Sequence, residues 1–164
     1  MLIGTYNINY GQKDQYIDSL EQIIQKKIED TLTVSALIDL SFYIIESNPS
    51  QSLSYSKEAF TLSEKLNWEG GIAWSLMQIA LSNDYLANYD TAMVYYKKTF
   101  DKRATMNDRN GMTAVLLNVG GSYHYRGIYS LALNYYIKAL TLYKSTNNEK
   151  GITRCYNNMA QYQG

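Results

Sequence analysis

Apolar residues recur at helical spacing along the chain. Between Met112 and Tyr125 they fall at Val115, Leu116, Val119 and Tyr123, a single stripe on one helix. A second stripe runs through Leu131, Ala132, Tyr135, Tyr136, Ala139, Leu140 and Tyr143. Gly127 lies between the two and suits a tight turn. The polar linker STNNEKG follows, and its glycine predicts a helix break before the next stripe. Small residues at Gly120 and Ala132 stand where the two helices of a hairpin can approach closely. Asn48 followed by Pro49 reads as an N-cap and a first helical position. The same reading along the chain predicts helices over about 13–29, 32–46, 49–66, 70–86, 89–105, 110–126, 129–145 and 150–162.

The stripes repeat at a fixed period. The segment from Gly71 aligns without a gap on the segment from Gly111, forty residues on. Matched identities include Gly71/Gly111, Leu76/Leu116, Ser82/Ser122, Tyr85/Tyr125, Tyr89/Tyr129, Ala92/Ala132, Tyr96/Tyr136 and Asn107/Asn147. A weaker copy begins at Thr31, and a fourth begins at Gly151 and ends at Gly164. The segment YIDSLEQIIQKK falls in the register of a repeat's second half. Such a period predicts an all-α solenoid of antiparallel helix pairs, each unit burying its apolar face on its neighbours. The expected organisation is one domain over 1–164: a half repeat over about 9–30, whole repeats over 31–70, 71–110 and 111–150, and a half repeat over 151–164.

Composition narrows the function classes. A hydrophobic fraction of 46% is enough for a packed core. Fifteen Lys and Arg balance fifteen Asp and Glu with no basic run, which argues against nucleic acid as a partner. No apolar run reaches the ~20 residues that span a bilayer, so no membrane insertion is expected. The opening MLIGTYNINYGQKDQ lacks a basic start followed by an apolar stretch, so no signal peptide is read there. A cytoplasmic site is the default expectation, and a periplasmic one if an upstream signal peptide is missing. One cysteine excludes an internal disulfide.

The run NVGGSYHYRGIYSLALNYYIKAL resembles a tetratricopeptide (TPR) repeat. Gly120 and Tyr123 match the small and aromatic positions of the first helix, Gly127 and Tyr129 those of the turn, and Ala132, Tyr136 and Ala139 those of the second helix. The preceding repeat matches at Ala80, Ala87, Tyr89, Ala92 and Tyr96 and departs at Asn83 and Thr99. The first whole repeat fits at Tyr43 and Ala59 and departs at Leu40 and Ser52. The longer period resembles TPRs of kinesin light chain and of bacterial signalling proteins. Residues 42–73 are similar to the sensory region that precedes histidine kinases and transcription regulators in Bacteroidetes-type bacteria.

The resemblance implies a right-handed superhelix whose first helices line a concave face that binds extended peptides or partner helices. Carried onto this chain, the face comprises Trp74, Met77, Gln78, Leu81, Asp84 and Tyr85 from one repeat. Ala114, Leu117, Asn118, Gly121, His124 and Tyr125 follow from the next, and Arg154, Asn157, Asn158 and Gln161 from the last helix. Gln78, Asn118 and Asn158 form a ladder of amides at forty-residue steps. It suits either a clamp on a peptide backbone or ties between helices. Trp74, Met77, Leu81 and Leu117 would make the face apolar. Arg154 is its only basic residue, so recognition of a carboxylate chaperone tail is not expected. The recurring tyrosines read as core packing rather than a base-stacking surface.

Catalytic chemistry finds little footing. His124 is the only histidine and Cys155 the only cysteine, and they are expected at opposite ends of their helices. Asp84, Asp90, Asp101 and Asp108 read as caps or solvated charges. Gly120-Gly121 lacks the Lys-Ser/Thr of a phosphate loop. No catalytic residue, cofactor or metal is expected. The functional expectation is a non-enzymatic scaffold for a protein or peptide ligand, a sensory or docking module in bacterial signalling. The alternatives are a regulatory fragment of a histidine kinase or transcription regulator whose output domain is absent, with Tyr156 and Met159 as the apolar face its last helix would leave open, and a homo-oligomer formed through the terminal helices.

Overall fold

The computed structural model describes residues 10–160, with side chains from Lys13 onward. Those residues form eight helices and no strand: α1 (Tyr10–Gln25), α2 (Thr31–Ile44), α3 (Pro49–Lys65), α4 (Glu69–Tyr85), α5 (Tyr89–Thr105), α6 (Arg109–Tyr125), α7 (Tyr129–Ser145) and α8 (Glu149–Ala160). The starts of α4, α6 and α8 lie forty residues apart, as do those of α3, α5 and α7. None of the helices is long and apolar enough to cross a membrane.

The turns explain where the helices stop. Lys27, Asn67, Ala87, Asn107, Gly127 and Asn147 each hold a left-handed backbone, with φ between 51° and 73°. They recur at steps of twenty or forty residues, one after α1 and one after each helix from α3 to α7. Around the last five of them the chain closes a six-residue hydrogen-bonded loop, as in Trp68 N–H to Ser63 O (2.9 Å), Asp108 N–H to Arg103 O (2.9 Å) and Asn148 N–H to Tyr143 O (3.0 Å). The chain reversal at Lys27 also ends α1 at Gln25, short of the expected 29. After it, side-chain oxygens of Asp30, Asn48, Asp108 and Asn148 accept backbone N–H bonds that open α2, α3, α6 and α8. The break expected at the linker glycine falls instead at Asn147, and Gly151 lies inside the first turn of α8. Its role is close packing: a Cβ there would collide with the Tyr143 ring.

The chain divides within α4 into two compact units, one up to Gln78 and one from Ile79. In the first, α2 packs on α1 and on α3. Val34, Leu37, Ile38 and Ala59 make one core cluster, and Leu20, Ala36 and Leu40 another. The Ser52 hydroxyl donates to the Ser41 carbonyl at 2.8 Å, tying α3 to α2 where a small side chain lets them approach. In the second unit, α6 packs on α5 and α7, and α7 on α8. Its core gathers Leu117, Ala132, Tyr136, Ala139, Leu140, Tyr143 and Cys155.

Burial follows the forty-residue period. Ser52, Ala92 and Ala132 are buried on α3, α5 and α7, as are Ser56, Tyr96 and Tyr136, and Ala59, Thr99 and Ala139. Gly120 makes room for Tyr136, because a Cβ there would lie 2.5 Å from that ring. In the first unit the sizes are exchanged. Leu40 stands at the position matching Gly120 and Ser56 at the one matching Tyr136, and both are buried. The departure of Leu40 from the TPR pattern is thus matched by a second departure that conserves volume.

Candidate functional site: a tyrosine-walled cleft in the second unit

The second unit holds a cleft of about 460 Å³. Leu81, Asp84 and Tyr85 enter it from the last turns of α4, Ala87 from the following turn, and Tyr89 and Tyr96 from α5. Asn118, Gly121, Ser122 and Tyr125 complete it from α6. Four of these are tyrosines, and Asp84 is the only acid or base among them.

Asp84 is partly buried and tied to both flanking helices. Its Oδ1 accepts the Ser122 hydroxyl at 2.7 Å, and its Oδ2 accepts the Tyr96 hydroxyl at 3.2 Å. Burial pushes the Asp84 carboxyl above its ordinary value, against the pull of those two hydrogen bonds and of the Arg126 charge. Burial, helped by the neighbouring Asp84, raises the Tyr96 phenol strongly. Tyr96 therefore stays a neutral donor. The expectation of a cap or a solvated charge fails at Asp84, which is instead the polar centre of the cleft floor. Asp108 is the cap that its sequence position predicts, and Asp101 pairs with Lys97 on the surface at 2.6 Å.

Gly121 sits in the interior of α6, and a Cβ built on it would meet nothing within 4 Å. Neither a turn nor a close packing contact requires a glycine there. The Arg126 guanidinium lies 4.3 Å from the centre of the Tyr89 ring and 5.3 Å from that of Tyr123.

Six of the residues expected on a ligand-binding face share this cleft: Leu81, Asp84, Tyr85, Asn118, Gly121 and Tyr125. The other described ones do not line it. Ala114 is partly buried, and Leu117 belongs to the core cluster of its unit, so it offers no apolar anchor. His124 is partly buried, with its ring 5.7 Å from that of Tyr129. Arg154 and Asn157 are exposed on α8, and Asn158 is partly buried there. In the first unit Trp74 is exposed, whereas Met77 and Gln78 are buried, and no hydrogen-bond partner reaches the Gln78 Oε1. The three amides of the ladder thus have different surroundings, and only Asn118 reaches the cleft. Gln161 lies outside the described residues.

Ala87, Tyr89, Tyr96 and Ser122 join the site although the sequence pattern marked them as repeat positions and not as part of the ligand-binding face. Tyr96 and Ser122 are visible as repeat identities, but identity with Tyr136 and Ser82 marks shared packing as readily as binding. A Cys155–His124 pair finds no support. Cys155 is fully buried in the core cluster, and burial pushes its thiol up, away from the reactive thiolate. Among the described residues no group of His, Cys, Asp and Glu side chains could hold a metal.

The fold is that of TPR-like helical repeats. It is similar to a Rap protein whose crystal structure was determined in complex with competence and sporulation factor. The TM-score is 0.69 at 13% sequence identity, over 94% of this chain and 48% of the Rap chain. The present chain therefore spans about half the length of that neighbour. No family model matches the sequence, and no curated protein does.

Proposed function

We propose that the chain is a non-catalytic scaffold that binds a protein or peptide partner, and that the partner enters the cleft of the second unit. The observation that carries this reading is Gly121. A glycine inside a helix costs roughly 1 kcal/mol against alanine. Here the packing does not require one, yet the residue keeps the α6 backbone open to the cleft. A backbone kept bare beside a tyrosine-walled hollow suits close approach by a ligand chain. Asn118 stands one turn earlier on the same wall, with an amide able to serve both N–H and C=O of an extended backbone. The likeness to a Rap protein complexed with competence and sporulation factor supports a binding role for the fold. The resemblance of residues 42–73 to bacterial sensory regions supports a docking role in signalling.

The test is selection of a random-sequence peptide library on the intact protein and on Gly121→Leu. Leucine favours helix and its Cβ meets open space, so the variant keeps its helical spectrum while its side chain fills the cleft. Peptides selected on the parent protein should lose binding to Gly121→Leu and keep binding to Asn134→Arg, altered on the exposed face of α7. Undiminished binding to Gly121→Leu contradicts the cleft as the site.

A further inference from the structure

The chemistry of the cleft selects among ligands, given that it is the binding site. Its walls are tyrosine rings, whose faces attract cations. Its single charged lining group is the Asp84 carboxylate, and no lining residue is basic. A carboxylate has about four acceptor positions, and within the protein Asp84 receives the two hydrogen bonds from Ser122 and Tyr96. Acceptor capacity is left over, in a partly buried place where a second charge of the same sign would be costly and an opposite one favourable. Anionic ligands are disfavoured on the same grounds.

The protein already shows what the wall accepts. The Arg126 guanidinium covers the Tyr89 ring at 4.3 Å, from its place directly after α6, and reaches Tyr123 as well. Tyr89 lines the cleft, and this arginine already occupies one face of its ring. We infer that the cleft takes a guanidinium or ammonium group of its ligand between Asp84 and the tyrosine wall, in competition with Arg126. The arginine then sets affinity from inside the protein: what it holds on Tyr89, the ligand's cation must displace.

The inference rests on the proposed cleft and is tested with two small probes rather than with an unknown partner. N-acetyl-arginine amide carries the guanidinium, and N-acetyl-citrulline amide is its neutral isostere. Each is titrated into the intact protein while backbone amide signals are followed. The arginine probe should shift the signals of Tyr89, Gly121 and Ser122 saturably, and the citrulline probe should bind markedly less tightly. Arg126→Gln should tighten binding of the arginine probe by roughly two- to fivefold, the scale of one exposed cation–π contact. Asp84→Asn should bring the two probes together, with an unchanged circular dichroism spectrum. Equal binding of the two probes at these signals overturns the inference and leaves the cleft intact as a site. Binding no tighter to Arg126→Gln overturns the competition. Silence of these signals with both probes also overturns it, and the fate of library peptides on Gly121→Leu then decides separately whether the cleft binds at all.

Discussion

Gly120 and Gly121 are neighbours in α6 with opposite surroundings. A Cβ on Gly120 would lie 2.5 Å from the Tyr136 ring, which is buried and has nowhere to go. On Gly121 it would meet open space. Gly120→Ala should therefore lower stability by about 1–3 kcal/mol through overpacking. Gly121→Ala should raise it by roughly 0.5–1 kcal/mol by relieving helical glycine. Denaturant melts of the two variants check this, and equal signs would mean that α6 is rotated from its assigned face. The same α6 wall carries Ser122, which bonds Asp84. The folded protein raises the Asp84 carboxyl above its unfolded value near 3.8. The folded state then holds this proton more tightly than the unfolded chain. The stabilisation that protonated Asp84 gives is full below the unfolded value and is lost as pH rises through the folded one. The stability of the parent protein relative to Asp84→Asn should fall across that window and be flat above it, as melts at a series of pH values would show.

At the scale of elements, the turns carry the period more faithfully than the helices do. Asn67, Asn107 and Asn147 recur because asparagine tolerates a left-handed backbone at low cost. Ala87, with φ 58°, does the same job with a side chain poorly suited to it. Ala87→Gly should raise the melting temperature, by the roughly 0.5–1 kcal/mol released when αL strain outweighs the extra freedom of the unfolded glycine. A lower melting temperature would contradict that assignment. The helix bounds were largely legible in the sequence because caps and chain reversals are local: Asn48, Pro49 and Gly127 each act within a few residues of themselves. The purpose of Gly151 was not legible. A glycine that breaks a helix and one that admits the Tyr143 ring look alike until the neighbouring helix is in place.

At the scale of the whole molecule, each of the two units has its own core, and the cleft lies within the second. First-helix positions in the TPR register pointed to Leu81, Asp84, Asn118 and Gly121, since side chains spaced three or four apart share a face. The same register could not separate Asn118 from Leu117, one residue away but turned into the core. Nor could it bring in Tyr89 and Tyr96, because their place depends on how α5 closes against α4 and α6. The central claim is that a partner enters this cleft. The most direct measurement is a backbone amide shift map of the intact protein with a peptide selected on it. The expected map centres on Leu81, Asp84, Gly121 and Ser122, with α7 positions such as Asn134 unmoved. A map centred on the outer face of α7, or within the first unit, would contradict the account.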